Sequence, residues 1–173
     1  MEKRYKEIWK EINSNNASVL DIGGRKGELL KSNPSFRGKY ENFDIILGKD
    51  ITHPIKERKK YDFIVMSHVL EHLDDLRVPL QNARKMLKTN GKLIVCVPNA
   101  LSFLHFLNYL FKRQLESYGG YETHLISFNI ETISNLLEKE GFIIEKCKFL
   151  NPIISFGKFG EEILLVCKKV IKR

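Results

Sequence analysis

The feature that most constrains the fold is a strand, a glycine-rich turn and a helix that follow one another directly. Residues 17–22 (ASVLDI) are apolar enough for a buried strand, and residues 23–27 (GGRKG) form a turn with three glycines. Glycine lets the backbone turn sharply and approach a neighbouring group without a Cβ clash. The helix that begins near Glu28 ends before Pro34, because proline disfavours a helical conformation in the preceding residue.

The rest of the chain continues the alternation of strands and helices. Apolar runs rich in β-branched residues predict strands at 39–46, 61–67, 92–97, 142–149 and 162–169, and a short extended piece at 49–52. Helical spacing predicts helices at 2–13, 77–88, 101–111 and 129–140. Asn90 and Gly91 are expected to close the helix at 77–88. No helix separates the last two strands. We therefore predict an α/β fold, a doubly wound and mostly parallel sheet of seven strands with one antiparallel strand near the C-terminus.

Length and composition fit one globular domain. The chain has 173 residues, of which 43% are hydrophobic and 29% charged, which excludes a disordered protein. No apolar run reaches the roughly 18 residues that a membrane-spanning helix needs. The first residues lead into no apolar signal core, so we expect a cytoplasmic protein.

The net charge of +8 raises the question of a nucleic-acid partner. Lysines are spread along the chain, and only residues 56–60 (KERKK) form a basic cluster. Nucleic acid is therefore the less favoured partner, and solvated surface charge is the favoured interpretation. Three cysteines lie far apart without CxxC spacing, which argues against a disulfide framework or a zinc site.

The glycine turn lacks the signatures of phosphate binding. It contains no GK[ST] and no complete GxGxxG pattern. Asp21 stands at the end of the strand before the turn, where a carboxylate suits an ammonium group better than a pyrophosphate. This favours a cationic cofactor that carries an amino acid.

Four segments carry a family resemblance. Residues 19–30 (VLDIGGRKGELL) resemble the DxGxxxG signature of class I S-adenosylmethionine-dependent methyltransferases. Three later segments, in the same order along the chain, resemble motifs of the small type-11/23-like branch, which is related to ubiquinone-biosynthesis and sugar methyltransferases. These segments are YDFIVMSHVLEHLDD (61–75), KTNGKLIVCVPN (88–99) and HLISFNIETISNLLEKEGF (124–142). The resemblance covers residues 17–170. It implies a Rossmann-like fold, S-adenosyl-L-methionine as the cofactor, and one methyltransferase domain over residues 1–173, with an N-terminal helix in 1–16.

The resemblance also implies which residues contact the cofactor. Those expected at its methionine part are Asp21, Gly23, Gly24, Ser67 and His68. Those expected at the ribose and adenine are Asp44, Asp50 and Ile51. Two features depart from the family pattern: Arg25 replaces a glycine of the turn, and only five residues separate Asp44 from Asp50, too few for the usual helix.

The acceptor side is expected to use histidine. A hydroxyl acceptor needs a general base, and histidine is best tuned near neutral pH. His124 is the first candidate and His72 the second; His105, on an apolar helix, is a less favoured one. A divalent metal at His68, Glu71, His72 and His124 is an alternative, but we expect no metal, with Glu71 and His72 holding their loop by hydrogen bonds.

Residues 99–124 are predicted to form an insertion over the acceptor side. Its apolar part, 101–111, suits a core helix or a homodimer interface, and alternatively a lid or a peripheral membrane contact that admits a lipid-linked acceptor. The favoured function is methylation of a small molecule, expected at an oxygen of a sugar or glycan intermediate. The alternatives are an RNA or other nucleic-acid methyltransferase and a cofactor-binding subunit without activity.

Overall fold

The computed structural model describes residues 3–56, 59–102, 124–151 and 160–170. Within them, six strands form one sheet: β1 (Ser18–Ile22), β2 (Lys39–Phe43), β3 (Tyr61–Ser67), β4 (Leu87–Pro98), β5 (Phe142–Leu150) and β6 (Glu162–Lys169). The α-helices of the same residues are α1 (Lys3–Ile12), α2 (Glu28–Lys31), α3 (Arg77–Met86) and α4 (Ile130–Lys139). Short 3₁₀ helices follow β2 at Ile45–Leu47 and β3 at Leu70–His72.

The strand order is β2-β1-β3-β4-β6-β5. The pairs β1–β2, β1–β3 and β3–β4 are parallel, whereas β6 is antiparallel to both of its neighbours. This confirms the predicted Rossmann-like, mostly parallel sheet and its antiparallel strand near the C-terminus.

The number of strands differs from the prediction of seven. The described residues form six, because the piece at 49–52 is a turn and β2 ends at Phe43. Asp44 caps the 3₁₀ helix that follows β2, and its side chain accepts a hydrogen bond from the Ile46 amide. Gly48 ends that helix at φ 71°, a left-handed conformation that favours glycine. The short connection therefore coils instead of adding an edge strand.

A second difference lies at Gly91. The preceding helix ends at Met86 rather than near residue 88, and β4 runs through Asn90 and Gly91. A Cβ at Gly91 would lie 2.8 Å from the carbonyl oxygen of Tyr61. The glycine therefore lets β4 pass close to the start of β3, and it does not close the helix.

The core lies on both faces of the sheet, as a doubly wound fold requires. On one face, Ile8 and Ile12 of α1 are fully buried against a cluster that includes Val19 of β1. On the other face, α3 and α4 pack on a cluster that includes Leu20 and Ile22 of the same strand. No helix within the described residues is long and apolar enough to cross a membrane.

Candidate functional site

A cavity of about 800 Å³ opens at the carboxyl ends of the parallel strands. In doubly wound sheets this edge is where ligands bind. The antiparallel direction of β6 brings its first residues to the same edge, and Glu162 pairs with Pro98 at the end of β4. The wall consists of Lys3, Arg4, Tyr5, Asp21, Gly23, Gly24, Arg25, Glu28, Leu29, Ser67, His68, His72, Pro98, His124, Asn151, Glu161 and Glu162.

Two glycines allow the turn after β1 to pack closely on the residues behind it. Gly23 has φ 74°, and a Cβ there would lie 2.4 Å from Cγ2 of Val69. A Cβ at Gly24 would lie 2.3 Å from Oδ2 of Asp21. Larger residues would therefore push the turn forward and fill the space in front of it.

Asp21 is a buried carboxyl directly beneath this turn. Its residue is 3% exposed, and the Tyr40 hydroxyl donates a hydrogen bond to its Oδ2. Burial raises the pKa of Asp21 to about 7 although the Tyr40 hydrogen bond acts in the opposite direction. A cation placed beside this carboxyl would favour its charged form.

Arg25 holds the middle of the turn in a left-handed conformation at φ 45°. Its amide donates to Oδ2 of Asp44 at 2.7 Å, and its carbonyl accepts from Nδ2 of Asn42 at 2.6 Å. Its side chain is exposed. The turn therefore tolerates arginine in place of glycine because two side chains fix its backbone.

Three of the predicted cofactor residues are not in the cavity wall. Asp44 is 6% exposed and braces the turn from behind. Asp50 accepts hydrogen bonds from the amide and hydroxyl of Thr52 and pairs with His53. Ile51 belongs to the core. Their roles at the ribose and adenine stay predictions.

The other predicted residues come together around the cavity. Asp21, Gly23 and Gly24 line one side, and Ser67 and His68 follow β3. The Ser67 hydroxyl is buried and has no hydrogen-bond partner in the described parts of the chain. His72 and His124 complete the wall. His105, most of the helix predicted at 101–111 and most of the 99–124 insertion lie outside the described residues.

His68 stands between two carboxylates. It has φ 56°, and its amide donates to the Cys96 carbonyl at 2.9 Å. Its ring Nε2 lies 2.8 Å from Oε1 of Glu162, and Nδ1 lies 3.4 Å from Oε1 of Glu71. Arg4 of α1 donates to the same Glu162 oxygen at 3.0 Å. Burial acts to raise the pKa of Glu162, but His68 and Arg4 together hold it below its usual value.

Glu71, His72 and His124 form a second group, of which His72 and His124 line the cavity. The two histidine rings meet edge to face with centroids 4.7 Å apart. One ligand atom from each of the three residues lies within 4.8 Å of the others, close enough to hold a divalent cation. His124 lies far from His72 in the sequence. The Leu125 amide donates to the Glu71 carbonyl at 2.8 Å, and this bond brings the two segments together.

The side chain of Glu71 does not hold the loop as expected. It is 1% exposed, and neither carboxylate oxygen accepts a hydrogen bond from a described residue. Its backbone carbonyl holds the loop instead, with the amides of Leu125 and Ile126 as donors. Burial raises the pKa of this carboxyl.

Glu162 and Arg4 belong to the site but were not predicted from the sequence. The predicted antiparallel direction of a late strand was the available signal for Glu162, because the first residue of such a strand lies at the carboxyl edge. No comparable signal exists for Arg4, because the docking of α1 on the sheet decides where its side chain ends.

Comparison with known proteins identifies the class. A sequence model of the methyltransferase domain family matches residues 1–146, so the chain belongs to this family. This confirms the resemblance to class I S-adenosylmethionine-dependent methyltransferases, the class that uses this cofactor.

Two curated relatives are O-methyltransferases by name. The human mitochondrial ubiquinone biosynthesis O-methyltransferase is 25% identical over 138 residues, which cover 73% of this chain and 37% of that protein. The Rattus norvegicus protein of the same name is 24% identical over 161 residues, which cover 86% and 45%. The chain thus spans less than half the length of these relatives.

Solved structures agree with the fold. A SAM-dependent methyltransferase from Archaeoglobus fulgidus has a TM-score of 0.67 and 21% identity, covering 96% of this chain and 93% of that one. The glycopeptide N-methyltransferase MtfA, complexed with S-adenosyl-L-methionine, has a TM-score of 0.67 and 13% identity, covering 96% and 92%. At these identities the likeness establishes the fold alone.

We expect Arg25→Gly to raise the free energy of unfolding by about 1 kcal/mol, because glycine adopts φ 45° without a Cβ penalty. Urea unfolding measures the change. Asn13→Gly is the control: Asn13 is also left-handed at φ 37°, but asparagine tolerates this region and the change should stay within about 0.5 kcal/mol. Equal gains at both positions, or a loss at Arg25, would contradict the account of the turn.

We expect Glu71→Gln to stabilise the protein at pH 7, because a buried carboxylate without hydrogen bonds opposes folding. Its raised pKa means that the penalty is missing below the unfolded pKa of about 4.3 and grows as pH rises towards the folded value. Thermal melts of both proteins between pH 4 and 8 measure the difference.

Glu145→Gln is the control for this experiment, because ion pairs with Lys92 and Lys168 lower the pKa of Glu145 and the substitution should destabilise at pH 7. A loss of stability in Glu71→Gln at pH 7 would contradict the prediction, because it would mean that neighbours such as His68, His72 and Arg4, or a bound cation, compensate the carboxylate.

Proposed function

We propose that this chain transfers the methyl group of S-adenosylmethionine to an oxygen of a small molecule. The observation that carries the proposal is the position of the glycine turn and of two histidines in one cavity wall. Cofactor and acceptor must meet within about 3 Å for methyl transfer, so one cavity has to offer both a binding surface and a base.

The residues of the wall fit the cofactor. Without a Cβ, Gly23 and Gly24 let the turn pack back on Val69 and Asp21 and leave the cavity in front of it open, and the cavity has the size of sites that hold ligands of this class. Asp21, Gly23, Gly24, Ser67 and His68 would hold its methionine part. An ammonium group beside Asp21 would lower the pKa of that carboxyl, so binding near pH 7 should release protons.

The histidines would manage the proton of the acceptor. S-adenosylmethionine supplies a methyl group on a cationic sulfur. His124 would take the hydroxyl proton on a ring nitrogen and so prepare the acceptor oxygen for the methyl group that the bound cofactor would supply, with the neutral thioether as the leaving group. His72, whose ring contacts that of His124, orients this base.

The proposed acceptor is a hydroxyl compound, and two classes of it are favoured. The resemblance favours a hydroxyl of a sugar or glycan intermediate, and the names of the curated relatives favour a ring hydroxyl of a quinone precursor. A lipid-linked acceptor, a homodimer and a cytoplasmic location stay predictions. A nucleic-acid acceptor stays the less favoured alternative, because the wall mixes the acidic residues Asp21, Glu28, Glu161 and Glu162 with basic ones and offers phosphate no uniformly positive surface.

A methyl-transfer assay tests the proposal. The protein is incubated with methyl-labelled S-adenosylmethionine and panels of sugar, glycan, phenol, lipid and RNA acceptors. We expect transfer to a hydroxyl acceptor, and a fall in kcat of about 10²–10⁴-fold in His124→Gln with little change in cofactor affinity.

His53→Gln is the matched control, because its side chain is 78% exposed and lies outside the cavity wall. It should leave kcat unchanged. Equal activity of His124→Gln and wild type would remove His124 as the base. Cofactor binding without transfer to any acceptor would favour an inactive subunit, and salt-dependent RNA methylation would favour the nucleic-acid alternative.

A further inference from the structure

Glu162 is placed to control a cavity residue of the proposed function. It begins β6, and its side chain is 13% exposed. One carboxylate oxygen, Oε1, serves two partners from different elements: Nε2 of His68 at 2.8 Å and Nη1 of Arg4 at 3.0 Å. The contact therefore joins the end of β3, the start of β6 and α1.

His68 needs such a partner because its strained backbone does not by itself fix the direction of its ring. At φ 56° His68 occupies the left-handed region, which residues with a Cβ rarely adopt. The amide bond to the Cys96 carbonyl fixes the backbone but leaves the ring free to rotate about its side-chain bonds. Of the two carboxylates beside the ring, Glu162 is within hydrogen-bond distance, whereas Glu71, at 3.4 Å, lies beyond it.

Because Glu162 is mostly buried, its carboxylate depends on the contacts with His68 and Arg4. A carboxylate that is mostly removed from water depends on its remaining donors, so it loses stability when either partner moves. Arg4 in turn belongs to α1, which is fixed independently: Lys146 and Lys148 of β5 pair with Glu11 at 2.7 Å each. Glu162 thus stands on a rigid support.

We propose that Glu162 is a positioning residue: through its contact with His68, and with Arg4 as its support, it holds the His68 ring against the cavity where the cofactor binds. The proposal rests on the proposed function, in which His68 contacts the methionine part of the cofactor. Glu162 acts through His68, so its effect should disappear when His68 is removed.

A double-mutant cycle tests this coupling. Calorimetry with S-adenosylmethionine measures Kd for wild type, His68→Ala, Glu162→Met and the double variant. Each single variant should weaken binding about tenfold, and the double variant also about tenfold rather than a hundredfold, because residues that act through one contact are not additive. Glu162→Gln, which keeps an oxygen acceptor at the same reach, should restore Kd to within about twofold of wild type.

Two further variants separate positioning from stability. Glu162→Asp keeps the charge but withdraws it by one methylene, so it should also weaken binding about tenfold. It takes the place of Glu162→Met if that variant does not fold. Glu145→Ala breaks two ion pairs of β5, with Lys92 of β4 and with Lys168 of β6. This variant should lower the melting temperature and leave Kd unchanged.

The outcomes distinguish this inference from the proposed function. No binding by wild type would contradict the proposed function. Binding that His68→Ala leaves unchanged would contradict the assigned role of His68 and overturn the inference with it. A loss in His68→Ala with wild-type affinity in both Glu162→Met and Glu162→Asp, or with additive losses, would overturn the inference alone.

Discussion

The site depends on how closely the turn after β1 packs against the residues behind it. At Gly23 and Gly24, Val69 and the Asp21 carboxylate occupy the space where a Cβ would stand. This packing brings the backbone of the turn back towards the sheet and leaves a cavity in front of it. The short helix α2, the left-handed backbone of Arg25 and the coiled connection after β2 are all arranged around this turn, and Asp44 links the last two.

Buried carboxylates lie in or near the cavity wall, and they differ in how far their charge is compensated. Burial raises the pKa of Asp21 to about 7, although Asp21 accepts a hydrogen bond from Tyr40. Glu162 is held in its charged form by Arg4 and His68. Glu71 accepts no side-chain or backbone hydrogen bond from the described residues. A site of this kind suits a cationic ligand, because a positive charge would favour the ionised state of Asp21 in particular.

The fold was predictable because local and global signals agree. The ASVLDI strand, the glycine turn and the apolar runs of β3, β4 and β6 predict a mostly parallel sheet, and the loop without a helix before β6 predicts its antiparallel strand. The error at Gly91 has a tertiary cause: Asn-Gly resembles a helix end locally, but the carbonyl of Tyr61 requires glycine there. The missing seventh strand follows from the length of the 44–50 connection.

Topology places predicted residues at the cavity only where they lie next to a strand end. Asp21, Gly23, Gly24, Ser67 and His68 directly end or follow β1 or β3, so topology alone places them at one edge. Asp44, Asp50 and Ile51 follow the irregular connection, whose hydrogen bonds direct their side chains elsewhere. His124 was predicted as a candidate base, but its place in the wall depends on a contact distant in sequence, from the Leu125 amide to the Glu71 carbonyl. Arg4, which was not predicted, reaches the wall through its contact with Glu162.

A crystal structure of the protein with S-adenosylhomocysteine would test the central claim most directly, because it locates the cofactor relative to the turn. We predict that the amino-acid part lies against the backbone of Gly23 and Gly24 near Asp21, with its sulfur facing the side of the cavity that carries His124. A ligand bound elsewhere, or a cavity that stays empty at saturating ligand concentration, would contradict the account.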